Sequence, residues 1–144
     1  MPLAIGTPKL TTEKLIRSDA SGDTFVTIRQ AMQGQQEERA RLFDEITRVI
    51  RDQNYGQVDE IKQRISMEEL KRVEVRLTLV DCNILDRDGQ TPLFTFVDDG
   101  VAKRLSMTET RFNEQWGKLP PEVAQEISEM TLKCNPSWSR KNPE

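Results

Sequence analysis

The chain has 144 residues, enough for one domain with a real core and too few for two of ordinary size. Its apolar fraction of 35% falls below the roughly 45–50% of an average domain on a count that also includes Gly, and charged residues reach 31%, so part of the chain must stay solvated. Twenty-one Lys and Arg against twenty-four Asp and Glu leave a net charge of −3 with both signs interleaved, which argues against a dedicated nucleic-acid surface.

Residues 1–12 combine Pro2, Gly6, Pro8 and several Thr without any period and read as an extended arm that orders only against a neighbour. A single mainly helical domain is expected over 13–136, and a flexible tail over 137–144. Two β-prone runs, Leu15-Ile16 and residues 24–29, flank a turn containing Gly22. This pattern predicts a β-hairpin with Phe25 or Val26, and Ile28, packed inward.

A long helix follows over 31–52, where Leu42, Phe43, Ile46, Val49 and Ile50 recur at spacings of three and four. Its first half, 33–41, has almost no apolar face and should be exposed or bound to a partner. Asn54, Tyr55 and Gly56 end it. Val58, Ile61 and Ile65 share one face of a short second helix over 58–65. Ser66 and Glu69 then have capping-box spacing, so a third helix is expected over 66–85. Val73, Val75, Leu77 and Leu79 alternate like a strand, but the rhythm Leu70, Val73, Leu77, Val80, Ile84 runs longer and favours helix.

Residues 86–89 (DRDG) stop that helix, and 91–96 are extended before the polar loop Asp98-Asp99-Gly100. A fourth helix is expected over 108–117, with Phe112 and Trp116 on one face. Leu119-Pro120-Pro121 breaks the chain and presets a fifth, where Glu122 complements the positive end of the helix dipole. Val123, Ile127, Met130 and Cys134 form its apolar stripe, Asn135-Pro136 ends it, and Trp138 is the one large anchor of the tail. The expected class is α+β, mainly α-helical, with about five helices and a small N-terminal β-hairpin.

The absence of histidine removes the commonest general base and the commonest zinc ligand together. Cys82 and Cys134 have no CxxC partner and read as small apolar residues. The run Asp86-x-Asp88-Gly89 fails as a calcium loop, because Ile84 and Thr95 fall where its first and last ligands belong. Phosphate-cradling glycine loops are missing. A glycosidase-like carboxylate pair would need aromatic platforms, whereas the five Phe, two Trp and one Tyr fall mostly at core spacing. Lys62, Arg64, Lys71, Arg72 and Arg76 alternate with Glu68, Glu69 and Glu74 as intrahelical ion pairs do, giving a solvated face. For duplex DNA the nearest recognition helix, 57–64, is a poor one. No stretch approaches the roughly 20 apolar residues that cross a bilayer, and residues 1–10 lack the pattern of a signal peptide. Cytoplasmic residence is expected, with no catalytic residue, cofactor, metal, membrane or nucleic acid, and with action through binding another protein.

The order of pieces carries a resemblance: 25–29 (FVTIR), a helix, 75–80 (VRLTLV), 82–89 (CNILDRDG), 92–94 (PLF), 116–120 (WGKLP) and 135–138 (NPSW). Over residues 13–138 the chain resembles the tail assembly chaperones of long-tailed bacteriophages. The resemblance implies a non-enzymatic helper in the host cytoplasm that coats the tape measure protein, recruits tail tube protein, and leaves before the virion is complete. It transfers no motif residue by residue. Candidate partner-binding residues are therefore the large aromatics near breaks in the chain, Phe94, Phe96, Phe112, Trp116 and Trp138, with a core role as the competing reading. The alternative function is a permanent virion structural protein, a minor tail, head-tail connector or capsid-decorating component, which the arm favours. Self-association as a homo-oligomer is left open.

Overall fold

Leu10–Lys14 (β1) and Phe25–Arg29 (β2) pair antiparallel with Thr12 opposite Thr27, in a computed structural model that describes residues 2–54, 60–98, 100 and 103–138. The hairpin is the expected one, but its first strand starts inside the expected arm, and Leu15 and Ile16 follow it. Val26 and Ile28 are fully buried and Phe25 only half-buried, so Val26 is the inward residue. At the turn, the Asp19 carboxylate accepts from the Ser21 amide and hydroxyl and from the Thr24 hydroxyl. Gly22 takes φ +74°, where any side chain would be strained.

Two long helices follow, Gln33–Asn54 (α1) and Glu60–Thr78 (α2), packed against each other. Tyr55, Gly56 and Val58 lie outside the described residues, as do the side chains of Ile46, Val49, Ile50, Ile61, Lys62, Arg64, Ile65 and Ser66. The two helices expected over 58–65 and 66–85 are one element: Ser66 sits within α2, because no Gly or Pro interrupts residues 60–78 and the backbone continues through the cap. That helix stops at Thr78 instead of running to residue 85. Leu79–Cys82 (β3) becomes the third strand of a sheet ordered β1-β2-β3, with Leu79 opposite Ile28 and Cys82 opposite Val26. Val73, Val75 and Leu77 of the alternating run are helical, and the chain turns to strand only from Leu79, where β2 offers an open edge and a third strand stabilises an otherwise marginal hairpin.

Phe96–Asp98 (β4) and Lys103–Leu105 (β5) form a second, two-stranded sheet, Phe96 opposite Leu105, beside β3. Its second strand, with a single apolar residue, has no counterpart in the sequence reading. Glu109–Trp116 (α3) is capped by the Thr108 hydroxyl, which accepts from the Arg111 amide, and ends at Gly117. Pro121–Cys134 (α4) starts at the expected proline, and a 3₁₀ turn at Pro136–Trp138 follows. The class is thus α+β, with four α-helices among the described residues where about five were expected.

The core collects one face of each layer: Val26 and Ile28 of the sheet, Val75 of α2, Leu93 and Phe94, Phe112 of α3, and Ile127 and Met130 of α4. Each full burial contributes roughly 1.5–3 kcal/mol. The polar first half of α1 has no buried residue and is largely exposed, as expected, and two of its polar side chains are used within the chain. Gln36 Oε1 accepts from Trp138 Nε1 at 2.6 Å, and Arg39 Nε donates to the buried Glu74 at 2.8 Å. Asn135, just past α4, ties that helix to β2 and to the connection before α1: its Oδ1 accepts from the Ala31 amide at 2.7 Å, and its Nδ2 donates to the carbonyls of Arg29 and Thr131.

Candidate protein-binding surface

The five aromatic candidates separate by burial. Phe94 and Phe112 are closed inside the core with ring centroids 5.4 Å apart, and Trp116 stacks on Phe112 at 6.0 Å. Helical spacing causes this: Phe112 and Trp116 lie four apart on the inner face of α3. Trp138 is buried elsewhere, against α1, with Arg39 over its ring. Phe94, Phe112 and Trp138 are therefore packing residues in this conformation, the core reading weighed from the outset. Phe96 and Trp116 are half-buried and keep an edge toward solvent.

The apolar groups left outside are different ones. Leu3 and Ile5 in the segment before β1 are 96% and 91% exposed, Ile16 is 66% exposed and Leu85 48%. Leu85 borders a groove of about 610 Å³ built from three distant pieces of chain, the hairpin turn, residues 83–87 and the entry to α4. Leu15, Ile84, Leu93, Leu119 and Val123 line its interior, and Asp19, Asp23, Asp86, Arg87 and Lys118 also border it. The wall at 84–93 is held by a narrow loop, in which Leu93 N donates to Ile84 O and Asp86 N to Thr91 O. Asp88 staples that loop by accepting from the amides of Gln90 and Thr91 and from the Thr91 hydroxyl.

Hydrogen bonds lower the carboxyls of two of these border acids, Asp19 and Asp86. The Thr24 hydroxyl, then the Ser21 hydroxyl and amide, hold the Asp19 carboxyl below its ordinary value. The Arg87 amide and then Lys118, whose Nζ lies 3.3 Å from Oδ2, do so for Asp86. In the Asp88 staple the Thr91 hydroxyl leads, and the carboxyl falls to about 2. Across α4, burial pushes the Glu126 carboxyl up, but the Ser18 hydroxyl, the Arg17 and Ser18 amides and the Arg17 charge outweigh it and leave it lowered.

Such a groove can take apolar side chains and orient them with charge at its edge. Burial pushes the Cys82 thiol up to about 11, so it is a neutral thiol at pH 7 and a weak nucleophile. Cys134 contacts the Thr11 hydroxyl and the Ile28 carbonyl. Among the described residues no group of three or more Cys, Asp or Glu is placed to hold a metal ion, and no helix is long and apolar enough to cross a membrane. Comparison with known proteins finds no family model, curated protein or solved structure that matches this chain.

The groove was missed in the sequence because its parts, from Leu15 to Val123, lie more than a hundred residues apart and none carries a motif. The one local signal was Leu119 before a Pro-Pro break, a large apolar residue at a forced turn.

Proposed function

We propose that this chain is a non-enzymatic tail assembly chaperone of a long-tailed bacteriophage, which binds the tape measure protein and helps to recruit tail tube protein in the host cytoplasm. The observation that carries the reading is the apolar groove beside the exposed Leu85, set in a surface otherwise rich in mixed charge. A helper that shields another chain's apolar helical face needs such a surface together with a soluble exterior. The sequence resemblance supplies the partners.

Co-expression tests this reading. A tape-measure fragment that is insoluble alone is expected in the soluble fraction when made with this chain, and recovery of the fragment only in the pellet contradicts the proposal.

The segment before β1 favours a second reading, a permanent virion component, since Leu3 and Ile5 stand free of the body as arms that lock subunits together do. Mass spectrometry of mature particles separates the two, because stoichiometric presence selects the structural role and absence selects the chaperone.

A further inference from the structure

We infer that copies of this chain associate head to tail, the segment at residues 2–9 of one copy docking through Leu3 and Ile5 into the groove beside Leu85 of the next. The inference does not depend on the tail-assembly reading, since ligand and receiver both belong to this chain.

Leu3 and Ile5 are almost wholly exposed, so their apolar surface finds no cover on their own body. Docked as an extended strand, these residues two positions apart fall on the same side and present one apolar edge to the groove. The groove, at about 610 Å³, has room for two aliphatic side chains and an apolar interior formed by Leu15, Ile84, Leu119 and Val123. Charge fits as well. Residues 2–12 contain no acid and one cation, Lys9, whereas three acids, Asp19, Asp23 and Asp86, border the groove against two cations, Arg87 and Lys118, and Lys118 is paired with Asp86.

Reach selects a second copy over the chain's own groove. The segment leaves the sheet at Leu10, beyond which the Lys9 carbonyl still accepts from the Gln30 amide, so the chain runs on away from the hairpin turn. The groove lies at the opposite end, beside Leu15, Asp19 and Asp23. At roughly 3.3 Å per residue, Ile5 reaches its own groove only by doubling back along the whole of β1. Donor and acceptor surfaces differ, so the contact is heterologous and builds rings or open chains in place of a closed two-fold pair.

The test is sedimentation velocity on the full-length protein across a micromolar concentration series. Wild type is expected to self-associate, and Leu3→Asp with Ile5→Asp, or Leu85→Asp alone, to weaken association by roughly tenfold or more. These positions are exposed, so folding checked by circular dichroism should be unchanged. The distinguishing result is a mixture: the arm variant keeps a groove and the groove variant keeps an arm, so the two together form a one-to-one heterodimer although each alone is monomeric. Wild type that stays monomeric throughout overturns the inference. Variants that associate as wild type does, or a mixture with no heterodimer, overturn it equally.

Discussion

The guanidinium of Arg39 lies 5.1 Å above the indole ring of Trp138, while its Nε donates to Glu74 at 2.8 Å. A residue near the end of the chain is thereby fastened to the first helix, and through it to the second. Trp138→Ala should destabilise the fold by about 3–5 kcal/mol, the usual cost of emptying a buried indole site. Urea unfolding followed by far-ultraviolet dichroism checks this, and a midpoint equal to wild type would mean that the indole is not anchored.

Asn135 makes a separate prediction. Its Oδ1 is the acceptor for the Ala31 amide in a buried setting, so Asn135→Ala leaves that donor without its partner, costing about 1–3 kcal/mol. Hydrogen exchange at the Ala31 amide should speed up beyond the global change.

Acid should destabilise this protein. Asp19, Asp86, Asp88 and Glu126 all have carboxyls lowered in the folded chain. On acidification the unfolded chain therefore binds protons first, near its ordinary carboxylate values of about 4. The stability these groups contribute is present above that range and is lost as pH falls toward about 2, the value at Asp88. A urea midpoint that drops from neutral pH to about pH 3, with a smaller drop in Glu126→Gln, is the expected pattern, and a flat profile contradicts it.

Packing and binding should separate cleanly between two residues. Phe112→Ala is expected to cost about 3–5 kcal/mol of stability, because its ring is closed between Phe94 and Trp116. Leu85→Asp, at an exposed position, should stay within about 0.5 kcal/mol of wild type and instead weaken binding of a tape-measure fragment. Differential scanning fluorimetry beside a pull-down reads both.

Much of the fold was legible where local chemistry decides it. Thr108 and Gly117 bracket α3, Pro121 opens α4, and the stripe Val123, Ile127, Met130, Cys134 faces the core. Legibility failed where a distant partner decides. Leu79 closes the alternating run and Val80 continues the helical one, and pairing with the open edge of β2 makes residues 79–82 strand. Lys103–Leu105 has little strand character of its own and is paired by Phe96–Asp98. The polarity of residues 33–41 gave their exposure correctly, while the contacts of Gln36 and Arg39 with Trp138 and Glu74 come from later in the chain. Aromatic size alone did not separate packing from surface, since Phe94, Phe112 and Trp138 are buried, Phe96 and Trp116 are half-buried, and the most exposed large apolar groups are the aliphatic Leu3, Ile5 and Ile16.

The central claim is that this protein works by lending apolar surface to another chain. The most direct measurement is affinity capture of a purified helical tape-measure fragment on the tagged full-length protein. The fragment is expected to co-elute as a soluble complex, and to be lost when Leu85→Asp replaces wild type. A fragment that passes through the wild-type column unbound would contradict the account.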